Sequence, residues 1–118
     1  MWRKEVKAIQ WEKKTNSNGT TYYYNDLDQL HRKDGPAVEC ANGEKYWYLN
    51  DKRHREDGPA LEYANGTKCW YLNDQFHRED GPAIECANGD KFWYIRDKEI
   101  NCKTNEEFLQ LMKMKAFW

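Results

Sequence analysis

Leu30-His31-Arg32-Lys33-Asp34-Gly35-Pro36-Ala37 is followed 23 residues later by Arg53-His54-Arg55-Glu56-Asp57-Gly58-Pro59-Ala60, and after the same interval by Phe76-His77-Arg78-Glu79-Asp80-Gly81-Pro82-Ala83. A period fixed at this length means one supersecondary unit stacked on copies of itself, in which each copy contacts its neighbours. It divides the chain into repeats 30-52, 53-75 and 76-98, flanked by an N-terminal cap 1-29 and a C-terminal segment 99-118, all within one domain. A functional surface on such a scaffold is a ladder of equivalent side chains rather than one pocket.

Inside each repeat the grammar is that of a β-hairpin. Val38-Glu39-Cys40-Ala41, then Asn42-Gly43, then Glu44 to Leu49 sets a turn between two short segments rich in branched and aromatic residues, and Asn65-Gly66 and Asn88-Gly89 repeat it. Asp-Gly-Pro at Asp34, Asp57 and Asp80 forms the second corner. There glycine is expected to take a left-handed conformation and proline withdraws an amide donor. Val38, Leu61 and Ile84, the rows Trp47, Trp70 and Trp93 and Tyr48, Tyr71 and Tyr94, and Leu49, Leu72 and Ile95 read as packing layers. Cys40 goes with Tyr46, Tyr63 with Cys69, and Cys86 with Phe92, so one small and one large side chain always occur together. Two positions of constant summed volume share a space in a close-packed interior. A strict two-residue loop would put them on opposite faces, so the pattern predicts a three-residue loop or a bulge.

With 118 residues, few aliphatics and many Trp and Tyr, the expected shape is a thin aromatic slab rather than a thick globule. The fold class is mainly β: stacked antiparallel hairpins, an N-terminal hairpin cap built from Lys7–Trp11 and Thr20–Tyr24, and a C-terminal capping α-helix. Thr104-Asn105-Glu106-Glu107 is a capping box, and Phe108, Leu111, Met112 and Lys115 follow at helical spacing, widened by Leu109 and Ala116. That helix covers the last hairpin. Phe117 and Trp118, with Phe108, Leu111 and Met112, are also candidates for self-association, because large aromatics at a terminus need something to bury them.

The net charge of −1, with acids and bases mixed throughout, provides no basic footprint for nucleic acid. No apolar run reaches membrane-spanning length and the first residues carry no apolar leader segment, which points to the cytoplasm. Cys40 and Cys86 hold the same register two repeats apart, roughly 20 Å at about 10 Å per two-stranded layer, so the cysteines are expected as reduced thiols.

The 23-residue period, the Tyr/Trp-rich second strand, the Asn-Gly hairpin and the following His resemble the membrane occupation and recognition nexus (MORN) repeat over roughly residues 18 to 98, in the variant type found in bacteriophage and giant-virus proteins. Here His-Arg-x-Asp-Gly-Pro stands where the standard repeat carries His-Gly-x-Gly. The resemblance implies an elongated sheet of stacked hairpins serving in recognition or assembly, a viral origin, and location in the host cytoplasm.

His31, His54 and His77 do not suit a shared metal, because equivalent atoms of stacked hairpins lie about 10 Å apart while zinc needs nitrogens about 2 Å from one centre. Each imidazole is expected to bond a neighbouring turn. Arg32, Arg55 and Arg78 are expected to pair with acids of their own or the next repeat, Arg32 with Glu56 or Asp57 and Arg55 with Glu79 or Asp80. Glu39, Glu62 and Glu85 should share a face with these arginines, since a bare row of carboxylates would repel itself. Ser17, the only serine, sits in a turn-rich loop, no phosphate loop precedes a helix, and triplicated His and Asp describe a corner rather than one asymmetric active site. No catalytic residue, metal or cofactor is therefore assigned.

Two functions fit. One is a protein-binding module, a viral protein that modulates a host protein such as a defence factor through Tyr48, Tyr71 and Tyr94 with the Arg and His rows. The other is a homo-oligomer, assembled through the helix, that sequesters a small nucleotide-like ligand between Trp, Arg and His. A membrane surface role would rest on Lys113 and Lys115 alone, too few for an anchor.

Overall fold

The computed structural model describes residues 12–114 as a slab of 55 × 34 × 16 Å. The described elements are β1 (Glu12–Thr15), β2 (Thr21–Tyr24), β3 (Val38–Glu39), β4 (Lys45–Tyr46), β5 (Tyr48–Leu49), β6 (Lys52–Arg53), β7 (Leu61–Glu62), β8 (Lys68–Cys69), β9 (Tyr71–Leu72), β10 (Gln75–Phe76), β11 (Ile84–Glu85), β12 (Lys91–Ile95), β13 (Lys98–Ile100) and helix α1 (Asn105–Met114). Nine strands make one sheet in the order β1-β2-β3-β4-β7-β8-β11-β12-β13, and β5-β6 and β9-β10 form two separate ribbons. All pairings are antiparallel. The stacked-hairpin reading is the architecture observed.

The first turn of each repeat is the three-residue loop that the exchange of small and large residues predicts. The large member of the pair nevertheless reaches the surface in two copies rather than lying in a close-packed interior, with Tyr63 37% and Phe92 38% exposed. Cys40 N–H donates to Glu44 O at 2.9 Å and Gly43 N–H to Cys40 O at 3.0 Å, closing a three-residue loop, Ala41-Asn42-Gly43. Gly43 takes φ +96° with open space around it, the left-handed bulge position of such a loop. Tyr63/Thr67 and Cys86/Asp90 close the other two copies identically. Val38 then faces Tyr46 and Leu61 faces Cys69, so the covarying Cys40/Tyr46 and Tyr63/Cys69 are diagonal neighbours on one face.

Each repeat also has a second hairpin that the sequence reading did not identify. Asn50-Asp51, Asn73-Asp74 and Arg96-Asp97 adopt positive φ at both positions, between 48° and 68°, and link Leu49 to Lys52 and Ile95 to Lys98. Two consecutive left-handed residues make the turn whose twist matches antiparallel strands, and short Asn and Asp side chains tolerate it best. The aspartates reach back 21 residues to the first residue of their own repeat. Asp51 accepts from Leu30 N–H at 2.7 Å, Asp97 accepts from Phe76 N–H at 2.8 Å, and Asp74 takes Arg53 Nε at 2.6 Å.

The glycines of the Asp-Gly-Pro corners are a correction: none of Gly35, Gly58 and Gly81 is at positive φ. A Cβ there would lie 2.7–3.0 Å from the guanidinium carbon of the repeat's own arginine, so glycine lets the guanidinium approach closely and any larger residue would displace it. The alanines that follow the prolines, Ala37, Ala60 and Ala83, are completely buried and bond the flanking strands from both sides.

One face of the sheet carries the series Glu39, Lys45, Glu62, Lys68, Glu85, Lys91, each facing the next across a strand pair. Intervening lysines thus add to the arginines in separating the carboxylates. The core holds Ala60, Leu61, Cys69 and Tyr71, against which Tyr46, Trp47, Phe76 and Ile84 pack. All four cysteines are free, and burial pushes the Cys69 thiol up to about 11.

At the C-terminal end, Thr104 Oγ1 accepts from Glu107 N–H at 3.1 Å, while Glu107 returns to Lys103 N–H at 2.9 Å, one residue before the position a capping box uses. Phe108 is 0% exposed, packed with Trp93, Ile95 and Ile100, and Leu111 and Met112 lean on the same cluster. Trp93 Nε1–H donates to Asn105 Oδ1 at 3.0 Å. Phe108, Leu111 and Met112 thus cover the last hairpin, as expected of a capping helix. Phe117 and Trp118, like Lys7–Trp11, lie outside the described residues; within them, the strand opposite β2 is Glu12–Thr15.

Candidate functional site

The site is built on the His-Arg-x-Asp-Gly-Pro corner. Arg55 lies flat over the Trp47 ring of the preceding repeat, with its guanidinium carbon 3.9 Å from the ring centroid, and Arg78 covers Trp70 identically. Arg32 covers Tyr23 at 4.0 Å, so Tyr23 of the cap occupies the Trp position. The guanidinium is sandwiched: aromatic ring on one side, corner glycine on the other. Arg55 Nε donates to Asp57 at 3.0 Å, and its Nη1 to Pro59 O at 3.1 Å and Glu62 at 3.2 Å. Arg32 uses Asp34, Pro36 and Glu39, and Arg78 uses Asp80, Pro82 and Glu85 in the same way. The expected Arg/Glu shared face is observed. The expected bridges from Arg32 to Glu56 or Asp57, and from Arg55 to Glu79 or Asp80, are not. The Gly-Pro corner curls each Asp back under its own arginine, and repeat-to-repeat contact passes through the Trp ring.

The histidines bond a neighbouring turn as expected, each tying its corner to the second turn of the same repeat. Nδ1 of His31, His54 and His77 accepts the backbone N–H of Asn50, Asn73 and Arg96 at 3.0, 2.9 and 3.1 Å. That fixes the proton on Nε2, which in His54 and His77 faces Glu56 at 3.3 Å and Glu79 at 3.0 Å. His31 has Lys33 at the corresponding place. Burial and then the Lys33 charge hold its pKa below the usual histidine value. Among the described residues no three His, Cys, Asp or Glu side chains are placed to hold a metal ion.

Successive corners enclose two adjacent grooves of the same construction, of about 610 and 700 Å³. The first has Trp47, Leu49 and His54 on its floor, between the corners Arg32–Pro36 and Arg55–Asp57. The second has Trp70, Leu72 and His77 between Arg55–Pro59 and Arg78–Asp80. The rims are carboxylates in water: side-chain exposure is 84% for Glu56, 88% for Asp57 and 62% for Glu79. Trp47 and Trp70 are half-buried, whereas Trp93 is sealed under α1. Thus Arg, His and Trp do come together, within one chain and in each groove.

The tyrosine row is placed differently. Tyr71 is 6% exposed, stacked on Phe76 at 4.4 Å, covered by the Arg53 guanidinium at 4.2 Å, and bonded through its hydroxyl to Arg53 Nη1 at 3.1 Å. Burial pushes its phenol up to about 12. Tyr94 lies against Phe76 at 5.0 Å, and Tyr48 is half-buried opposite Arg53. Arg53 and Phe76, the residues before His54 and His77, cover the Tyr71 ring, and Phe76 also meets Tyr94, so these two tyrosines pack within the slab. The groove rims were the part not singled out in the sequence. The available signal was the Lys33, Glu56, Glu79 position, which changes sign inside an otherwise constant corner. Comparison with protein-family models, curated proteins and solved structures finds no match.

Proposed function

We propose that this protein is a non-enzymatic recognition module whose repeat-related grooves bind a segment of another protein. The observation that carries the reading is the pair of adjacent grooves with the same Trp-Leu-His floor and rims rich in carboxylates, with Lys33 in place of one of them in the first groove. Sites repeated by translation complement a ligand that is itself repeated by translation, and a polypeptide is such a ligand. The half-buried indoles offer contact area at low entropic cost.

A nucleotide-like ligand fits less well. The second groove sets Glu56, Asp57, Glu79 and Asp80 against only Arg55 and Arg78, whose guanidiniums are already paired and stacked. The repeat type that the sequence resembles makes a virus the source and a host protein, such as a defence factor, the partner in the host cytoplasm. No helix among the described residues is long and apolar enough to cross a membrane.

Affinity capture with the full chain tests the reading. A specific partner retained by the unaltered protein and by Tyr63→Ala, away from the grooves, but lost with Glu56→Lys, supports it. A partner indifferent to Glu56→Lys would overturn it, as would a thermal shift with nucleotides that disappears in Arg55→Ala.

A further inference from the structure

The two grooves share one wall, Arg55-Glu56-Asp57, so they are neighbours along the stack with a single ridge between them. Each repeat contributes two strands to the sheet, and strands lie about 4.8 Å apart, so equivalent points of the grooves are separated by roughly 9.6 Å. That distance discriminates among backbone conformations. A β-strand returns a side chain to one face about every 6.7 Å, out of step with the grooves. An α-helix matches at its seventh residue, about 10.5 Å, but carries intervening side chains on the same face that would strike the shared ridge. A polyproline II helix returns every third residue, about 9.3 Å on, with nothing between on that face.

The charge of the grooves selects the side chain. Around the second groove four carboxylates oppose two guanidiniums; around the first, Lys33 brings the balance to Asp34, Glu56 and Asp57 against Arg32, Lys33 and Arg55. Indole and leucine floors accept an aliphatic stem while the rim carboxylates, all more than 60% exposed, meet a cationic head. Resting on the recognition reading above, we infer that the grooves take a basic polyproline II segment with a Lys or Arg at every third residue, one cation per groove. The second groove binds it more tightly than the first.

The probe is a fluorescent synthetic peptide of Arg-Pro-Pro triplets long enough to span both grooves, compared by anisotropy at about 0.15 M salt with an isomer of equal composition whose arginines alternate with prolines at one end. The triplet peptide is expected to bind at least about tenfold more tightly than the isomer. Glu56→Lys on the shared ridge should weaken it about tenfold or more, and Lys33→Glu, which gives the first groove the same rim as the second, should strengthen it severalfold. Both side chains are exposed, and unchanged near-ultraviolet circular dichroism confirms the fold. Equal binding of the two peptides, or a Lys33→Glu variant no tighter than the parent, overturns the inference by reducing it to non-specific charge. No binding of either peptide also overturns it. If the captured partner is still lost with Glu56→Lys in that case, the recognition reading stands and only the ligand class falls.

Discussion

Replacing Gly58 with alanine adds one methyl group, and the geometry makes its cost large for an unusual reason. Gly58 is not in the left-handed region, so alanine incurs no backbone strain there. The new Cβ would instead lie 2.8 Å from the Arg55 guanidinium carbon and 3.0 Å from Nε. The guanidinium must leave its slot, giving up the Trp47 stack at 3.9 Å, worth about 1 kcal/mol, and the bond to Pro59 O, worth about 1 kcal/mol. The ion pairs to Asp57 and Glu62 add only about 0.5 kcal/mol each, because their carboxylates are 88% and 32% exposed. The expected loss is about 2–3 kcal/mol, or roughly 10 °C in Tm for a domain of this size. Urea denaturation of Gly58→Ala, Arg55→Ala and the double variant isolates the cause. With the guanidinium absent the methyl has nothing to strike, so the double variant should be no less stable than Arg55→Ala, a coupling of about 2 kcal/mol. Gly66→Ala is the control: its φ is +98° with open space around it, so it should cost about 1 kcal/mol whether or not Arg55 is present. Additive losses for Gly58→Ala and Arg55→Ala would refute the wedge geometry.

Two further outcomes follow from the ends of the stack. His31, buried and beside Lys33, has a folded pKa below 6.5, so the folded state binds fewer protons than the unfolded chain between those two values. Its contribution is constant above about pH 6.5 and is lost as pH falls through the folded value; urea midpoints at about pH 8 and about pH 5 should differ, and the difference should shrink in His31→Gln. A midpoint that rises toward acid would contradict this. Phe108→Ala truncates the one large side chain among the described residues that is fully buried, at an expected cost of about 3–5 kcal/mol, and should release α1 and expose Trp93, read as a red-shifted tryptophan emission. An unchanged emission spectrum would show that α1 is not held by that contact.

Much of the fold is legible because three near-copies act as an internal comparison. The exchange of small and large residues between Cys40/Tyr46, Tyr63/Cys69 and Cys86/Phe92 is enough to deduce the three-residue loop. The second hairpin is not marked in the sequence because Asn50-Asp51 and Arg96-Asp97 lack the glycine that usually marks two left-handed residues, and their aspartates are fixed by bonds to Leu30 and Phe76, 21 residues back at the start of the same repeat. The corner glycines misled in the opposite sense. Glycine signals both unusual φ and close approach, and only the Arg55 position tells them apart. The candidate site was half legible: Arg and His were singled out from their repetition, but whether Trp47 and Tyr71 face water depends on what lands on each ring. Arg55 leaves the groove beside Trp47 open, while Arg53 and Phe76 close over Tyr71.

The central claim is that the open faces of the stack are the grooves floored by Trp47 and Trp70, and the indole N–H signals of a nitrogen-15 labelled full chain report on it directly. On titration with the Arg-Pro-Pro peptide, the Trp47 and Trp70 signals should move together with the bound fraction, while Trp93, whose Nε1–H is held by Asn105 beneath α1, stays in place. Movement of Trp93 to the same extent, or none at Trp47 and Trp70 while the peptide binds, would contradict the account.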